Sequence, residues 1–328
     1  MKDLRTTFAA LAVGAAAGLA PALAAAQDMR IGLITPPSHV WSQAAMAMGE
    51  ELSEATDGRI TLQVFPGGQL GNEAQMLQQL QTGALDMSFM TVAEISNRVP
   101  EFGAFFAPFL ADDIAHAGRI IRSDVAASLL ELLPEEVGVV GLGYGSAGMR
   151  QMVSRPEVNA AADLNGLKIR ITPVDAFRDF YNALGTAPTP MPLPAVYDAL
   201  ANAQVDAIDM DAELIWAMRY YEQAPTVLET NHALFPMVGL VSGRVWAGLP
   251  AEDRELITEV MRRHLDGVLD TYAERDPEWM AQVEATEGVI YTRVGPDFFA
   301  EAIEAWEAIW AERAPILADL RAVAAETR

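Results

Sequence analysis

Residues 59–91 have the sequence RITLQVFPGGQLGNEAQMLQQLQTGALDMSFMT, and this stretch decides the fold class. Arg59 to Phe65 alternates polar and apolar side chains, which predicts a strand with one buried face. A Pro-Gly-Gly turn follows, and then a helix predicted from Asn72 to Thr82 that Gly83 ends. Leu85 to Thr91 is apolar and predicts a second strand. This order of strand, helix and strand predicts parallel strands with helices on the sheet faces.

The same alternation extends in both directions from this stretch. Upstream, residues 29–34 predict a strand and residues 40–55 a helix. Downstream, further strands are predicted at 136–144, 166–171, 205–210 and 288–293, and helices at 174–185, 194–203, 251–275 and 297–325. A chain of this length usually exceeds one small core. We therefore predict two α/β lobes of interleaved segments, residues 27–148 plus 236–275 and residues 149–235 plus 276–328.

The first 26 residues have the pattern of a targeting segment. Lys2 and Arg5 supply positive charge, residues 8–23 are apolar, and small residues precede Gln27. This pattern predicts a cleaved signal peptide, residues 1–26, and a periplasmic location. A membrane anchor is the alternative, but the apolar run is shorter than the roughly 20 residues that a spanning helix needs. No direct membrane insertion of the mature protein is expected.

Composition narrows the classes of partner. The chain has no cysteine, which rules out a cysteine lipid anchor, disulfides and cysteine metal sites. Its formal net charge is -23, which disfavours nucleic acid and anionic lipid as partners. An anionic ligand would also be repelled unless the chain concentrates cations at its binding site.

Enzyme motifs are incomplete. The stretch Val139 to Ser146 approaches a dinucleotide-binding pattern, but Ser146 stands where a glycine is required. A nucleophile elbow around Ser146 lacks its first glycine, because Tyr144 occupies that position. The four histidines, at positions 39, 116, 232 and 264, have no metal-binding spacing. We predict that the protein is not an enzyme, with no catalytic residue, cofactor or metal.

Four stretches together carry a resemblance to a known family. They are DGRITLQVFPGGQLG at 57–71, QLQTGALD at 79–86, DLNGLKIR at 163–170, and Pro190-Met191 with VYDAL at 196–200 and VDA at 205–207. The chain resembles the DctP-type solute-binding subunits of tripartite ATP-independent periplasmic (TRAP) transporters. The resemblance implies a two-lobe, type II-like periplasmic binding protein fold with hinge strands and a long helix spanning both lobes. It also implies a membrane permease as partner and no ATPase.

The same resemblance assigns the ligand carboxylate to Arg170, in the strand at 167–170. A guanidinium offers a planar fork of donors that meets a carboxylate with two parallel hydrogen bonds. Arg150 matches a second arginine, which relatives use from an adjacent strand. The alternative for each arginine is a solvated surface charge.

Other matching positions depart from the sialic-acid-binding relatives, which carry polar residues there. This chain has Ile34, Thr91, Glu94, Pro173, Leu193 and Met210. We therefore expect a more apolar pocket and a smaller or less hydroxylated acid. Four bulky residues are further candidates for the pocket, with core packing as the alternative for the aromatics: His39, Trp41, Trp216 and Phe235. Asp209 and Asp211 either pair a ligand ammonium, cap a helix or hold Arg150.

The function predicted from these residues is a periplasmic solute-binding protein that captures a small organic acid for a TRAP-type secondary transporter. Two alternatives remain open. One is a two-lobe receptor that serves a sensor kinase or binds an amine-bearing ligand. The other, less favoured, is a secreted hydrolase.

Overall fold

The computed structural model describes residues 26–328 of the 328-residue chain. The predicted signal peptide therefore lies outside the described residues except for Ala26. Among residues 26–328, no helix has both the length and the apolar character needed to cross a membrane.

The described residues form eleven strands and thirteen α-helices. The strands are β1 Gln27–Gly32, β2 Ile60–Phe65, β3 Met87–Thr91, β4 Val139–Ala147, β5 Arg150–Ser154, β6 Lys168–Ile171, β7 Ala187–Pro190, β8 Ala207–Asp211, β9 Thr226–Glu229, β10 Phe235–Ser242 and β11 Ile290–Arg293. The helices are α1 Val40–Ala55, α2 Glu73–Thr82, α3 Val92–Ser96, α4 Ile114–Ile121, α5 Asp124–Leu130, α6 Leu133–Glu136, α7 Asp175–Ala183, α8 Val196–Ala201, α9 Ala212–Ala217, α10 Gly243–Gly248, α11 Ala251–Glu284, α12 Ala300–Arg313 and α13 Leu317–Glu326.

The first sheet contains both strands of residues 59–91, β2 and β3. Its strand order is β2-β1-β3-β10-β4, and β1 lies parallel to both β2 and β3. The predicted parallel arrangement is therefore confirmed. Asn72 begins α2 with a capping box, and Gly83 ends it in the left-handed region at φ 77°. Glycine adopts that backbone conformation without steric cost, which is why the helix stops there.

The second sheet has the order β11-β9-β5-β8-β6-β7. The chain passes from the first sheet to the second between β4 and β5, through Gly148 and Met149, and returns between β9 and β10. In the first sheet β10 pairs with β4, and in the second β5 pairs with β9, both antiparallel. The two crossings thus run side by side, which is the arrangement of hinge strands.

Helix α11 contacts elements of both sheets. It packs on β4, α1 and α4 at one side and on α9 at the other. The sequence predicted its end near residue 275, but the helix continues to Glu284 with Pro277 inside it. Proline lacks an N–H and normally breaks a helix interior. Buried side chains on both sides of Pro277 hold the helix together here: Tyr272, Trp279, Met280 and Val283.

Candidate functional site, a cleft between the two sheets

A cavity of about 160 Å³ lies between the two sheets. Many of its lining residues lie at or just after the carboxyl ends of strands, where open α/β sheets bind ligands. From the first-sheet side come Ile34, Thr35, His39, Trp41, Asn72, Glu73, Ala74, Thr91, Ala93 and Glu94; from the hinge strands come Ala147 and Phe235; from the second-sheet side come Arg150, Arg170, Thr172, Pro173, Pro192, Leu193, Met210, Asp211 and Leu214.

Arg170 is held in the cavity wall by neutral acceptors. Its Nε and Nη2 both donate to the Met191 carbonyl oxygen, at 3.0 and 2.8 Å, and its Nη1 donates to the Asp209 carbonyl oxygen at 3.2 Å. A guanidinium has five N–H groups, so two remain without a partner among the described residues, one on each Nη nitrogen. The side chain is 2% exposed, and burial followed by repulsion from Arg150 lowers its pKa to about 10. Arg170 is therefore an oriented, charged fork at neutral pH.

Arg150 also lines the cavity, but carboxylates neutralise it. Its Nε donates to Asp209 Oδ1 at 2.5 Å and its Nη1 to Asp211 Oδ2 at 3.2 Å. The guanidinium carbon lies 4.4 Å from the centre of the Phe235 ring. The expectation that Arg150 and Arg170 lie on adjacent strands is wrong, because β8 separates β5 from β6. The Asp209 carbonyl oxygen on β8 accepts from both arginines, which is how they approach each other.

Asp209 lies behind the arginines and does not line the cavity. It is fully buried and accepts hydrogen bonds from Tyr181 Oη at 2.7 Å and from His232 Nε2 at 3.0 Å. Burial alone would raise its pKa, but Arg150 and the bonds from His232 and Tyr181 outweigh burial and hold the pKa well below its usual range. Asp209 thus holds Arg150, one of the two structural alternatives that the sequence left open.

Asp211 has both structural roles at once. It begins α9 by accepting from the Leu214 N–H at 3.0 Å, and its other oxygen faces Arg150. Burial raises its pKa, although Arg150 opposes that effect. Because its oxygens are already used in this way, Asp211 is the second carboxylate that pairs with Arg150.

The bulky candidates separate into two groups. His39, Trp41 and Phe235 line the cavity, and Trp41 donates from Nε1 to the Ser146 carbonyl oxygen at 3.0 Å. Trp216 does not line it and stacks on Tyr221 instead, with ring centres 5.9 Å apart. Leu214 of the same helix does line the cavity, and two residues correspond to about 200° around a helix. Trp216 therefore points away from the cleft.

Ser146, the residue of the incomplete hydrolase motif, is fully buried in β4. Its hydroxyl donates to the Phe235 carbonyl oxygen at 3.1 Å. This bond joins the two hinge strands, so the side chain has a structural role.

Glu73 lines the cavity and was missed by the sequence argument. Its two carboxylate oxygens accept from the Thr91 N–H at 2.6 Å and from Thr91 Oγ1 at 2.8 Å. Burial raises its pKa to about 7 against the effect of those two bonds. An acid in the first turn of a helix normally faces solvent near the positive end of the helix dipole, so the sequence carried no signal of burial.

His39, Asp211 and Glu213 bring three metal-ligand types within 4.8 Å of one another. Burial lowers the pKa of His39 to about 3, so the ring is neutral. Its Nδ1 accepts from the Trp41 N–H at 3.1 Å, which assigns the ring proton to Nε2, 3.2 Å from Glu213 Oε2. His39 and Glu213 therefore face each other as donor and acceptor, whereas the oxygens of Asp211 face the Leu214 N–H and Arg150.

Hydrogen bonds join the sides of the cleft at both of the following places. Asn97, which follows α3, donates from Nδ2 to the Pro173 carbonyl oxygen at 2.8 Å. The Val40 N–H at the start of α1 donates to Glu213 Oε1 of α9 at 3.0 Å. Both bonds connect a first-sheet element with a second-sheet element, so the cleft is in a closed arrangement.

Comparison with known proteins agrees with this architecture. Residues 31–315 match the DctP family model, described as bacterial extracellular solute-binding protein, family 7. The chain is 26% identical over 300 residues to the sialic acid-binding periplasmic protein SiaP of Vibrio cholerae, covering 92% of each chain. It is 28% identical to the 2,3-diketo-L-gulonate-binding periplasmic protein YiaO of Escherichia coli, covering 83% of this chain and 87% of that one.

Solved structures extend the comparison to three dimensions. A TRAP periplasmic solute-binding protein from Bradyrhizobium sp. BTAi1, in complex with galacturonate, superposes with a TM-score of 0.83 at 30% identity. The match covers 90% of this chain and 100% of that one. The predicted two-lobe α/β fold class and the family resemblance are both confirmed. The chain belongs to the DctP family, the family 7 bacterial extracellular solute-binding proteins.

Proposed function

We propose that this protein captures a small organic acid in the cleft between its two sheets and delivers it to a TRAP-type membrane permease. One observation carries the proposal: within residues 26–328, Arg170 has two N–H groups without partners, one on each Nη nitrogen, at the wall of the cavity. The matched relatives, named for sialic acid, 2,3-diketo-L-gulonate and galacturonate, support an acid as ligand.

A carboxylate has the charge and the shape that match the guanidinium of Arg170. Asp209 and Asp211 pair directly with Arg150, whereas the bonds of Arg170 go to carbonyl oxygens that carry no net charge. A buried guanidinium is stabilised by a directly bonded carboxylate, and a bidentate ligand carboxylate would supply that bond. Each charge-assisted hydrogen bond in such a site contributes about 1.5–3 kcal/mol.

Closure of the cleft connects ligand capture with delivery. The acid would bind Arg170 on the second-sheet side and contact Ile34, Thr91 and Trp41 on the first-sheet side. A ligand that touches both sides favours the closed arrangement over the open one. The permease would then recognise the closed, loaded protein.

The proposed function includes a location and a division into lobes. We infer that residues 1–26 are a cleaved signal peptide and that the protein acts in the periplasm. Its lobes would be residues 27–148 plus 236–275 and residues 149–235 plus 276–328. The membership of β1 to β4 in one sheet and of β5 to β9 in the other supports this division.

A thermal-shift screen of the purified mature protein tests the proposal. Sugar acids, keto acids, aromatic acids, hydroxy acids and dicarboxylates form the panel, with matched neutral sugars as controls. A ligand that binds only the folded state at 100 times its Kd stabilises it by about 2.7 kcal/mol. We expect at least one acid, and none of the neutral sugars, to raise the melting temperature. A panel without any shift contradicts the proposed function.

A further inference from the structure

Two carboxyl groups, that of the buried Glu73 and that of the half-buried Glu94, line the cavity on the side opposite to Arg170. They belong to α2 and α3, which accompany the first sheet, whereas Arg170 belongs to β6 of the second. Glu73 is 8% exposed, and the side chain of Glu94 is 12% exposed. Glu73 and Glu94 thus line the same cavity as Arg170 from its other side.

Both carboxyl groups can accept further hydrogen bonds. The oxygens of Glu73 each accept one hydrogen bond from Thr91, although a carboxylate oxygen can accept two. Glu94 approaches Arg98 of its own helical segment at 3.6 Å, and that arginine is largely exposed to solvent. Burial raises the pKa of both acids, for Glu73 to about 7, so the negative charge of Glu73 is fully present only above that pH. Both retain lone pairs for a donor in the cavity.

The cations of the cavity cannot accommodate a second negative charge. Among the described residues that line it, Arg150 and Arg170 are the arginines, and no lysine is present. Asp209 and Asp211 already place two negative charges beside these two arginines. A dianion would satisfy Arg170 with one carboxylate and bring its second carboxylate toward Glu73 and Glu94. Apolar side chains lower the local dielectric constant and so strengthen that repulsion; they include Ile34, Leu193, Met210 and Phe235.

Resting on the proposed function, we propose that the cleft selects acids with a single carboxylate and a hydroxyl or ammonium group at the far end, and that Glu73 and Glu94 exclude dicarboxylates. The single carboxylate binds Arg170. The distal donor binds the free lone pairs of Glu73 and Glu94. The body of the ligand contacts the apolar walls between them.

The experiment uses acids that share a carbon skeleton and differ in the terminal group. The first set is hexanoate, 6-hydroxyhexanoate, 6-aminohexanoate and adipate; the second is butyrate, 4-hydroxybutyrate, 4-aminobutyrate and succinate; the third pairs galactonate with galactarate and gluconate with glucarate. Melting temperatures identify the binders in each set. Isothermal titration calorimetry then gives the Kd values of the matched compounds.

We expect at least one hydroxy or amino monocarboxylate to bind at least tenfold more tightly than its matched dicarboxylate. In Glu73→Gln and in Glu94→Gln, the ratio of the two Kd values should shift at least fivefold toward the dicarboxylate. Glu50→Gln is the matched control, because Glu50 is exposed on α1 and the substitution removes the same charge. Its ratio should stay within twofold of wild type.

Three outcomes overturn the proposal, and they are distinguishable. A dicarboxylate that binds wild type as tightly as its matched monocarboxylate contradicts the selectivity and leaves the proposed function intact. An unchanged ratio in both glutamine variants contradicts the role of the two acids. If none of these acids or those of the wider panel binds, the proposed function itself fails. Should Glu73→Gln fold poorly, since Thr91 loses an acceptor, wild type and Glu94→Gln still decide the question.

Discussion

Replacing Arg170 with lysine separates the shape of the cation from its charge. The guanidinium uses three N–H groups to reach the carbonyl oxygens of Met191 and Asp209 and retains two for a ligand. A lysine ammonium has three N–H groups on one nitrogen. If two of them replace the bonds to those carbonyl oxygens, one remains for the ligand.

The structure gives the size of the effect. The variant loses one charge-assisted hydrogen bond, about 1.5–3 kcal/mol, which corresponds to a Kd about 10- to 150-fold weaker. Burial already lowers the pKa of the arginine to about 10. Acting on a lysine, whose ordinary pKa is about 10.4, the same burial brings the ammonium closer to neutrality. We therefore expect the loss of affinity to be larger at pH 8.5 than at pH 6.5.

Calorimetric titration with the strongest acid of the thermal-shift panel measures this prediction at both pH values. Arg178→Lys is the control, because Arg178 lies on the exposed side of α7 and pairs with Asp175 at 2.9 Å. Circular dichroism should show both variants folded. A Kd for Arg170→Lys within twofold of wild type, with the control also unchanged, would refute the assignment of the carboxylate to Arg170.

Three further predictions concern residues around the cleft. Burial raises the pKa of Asp276 from 3.8 to about 8, so the folded state binds this proton more tightly, and wild type loses stability as the pH rises from about 4 to 8. Asp276→Asn keeps an acceptor for the Met149 N–H. In urea unfolding, the free energy of unfolding of this variant relative to wild type should therefore increase with pH, by up to about 1.4 kcal/mol per pH unit. Equal differences at pH 5 and at pH 7.5 would contradict this. Glu213 accepts hydrogen bonds on both carboxylate oxygens, including one from the Val40 N–H across the cleft, and Glu213→Gln leaves only one acceptor oxygen. Ligand affinity should therefore fall roughly three- to thirtyfold. An unchanged Kd would show that the bond does not stabilise closure. Trp216→Ala should leave the Kd within twofold of wild type, and a tenfold loss in calorimetry would mean that this side chain reaches the ligand.

Local patterns in the sequence predicted seven of the eleven strands of the described residues, but not β5, β7, β9 and β10. Alternation from Ile60 to Phe65 and the capping residues Asn72 and Gly83 depend on neighbours within a few positions, and the structure has those elements as predicted. The end of α11 was misplaced because local chemistry at Pro277 disfavours helix, whereas distant packing of Tyr272 and Trp279 favours it. Tertiary contacts outweighed a local preference at this position.

The site was only partly predictable for a related reason. Arg150 and Arg170 were found through the motifs around them, but their separation by β8 depends on strand order, which the spacing of twenty residues does not determine. The sequence could not place Trp216 relative to the cavity, because its helix is short and the face that Leu214 buries was unknown. Glu73 was missed because an acid at a helix start is ordinarily exposed.

The sequence by itself determined the α/β class, the acidic and cysteine-free character of the chain, and its family. Only the tertiary structure decided which charges are neutralised and which remain free. Arg150 pairs with aspartates about sixty residues away, and Arg170 contacts carbonyl oxygens 21 and 39 residues away. The physical reason is that a charge in a low-dielectric interior is governed by the few groups within hydrogen-bonding distance, and those groups come together only when the chain folds.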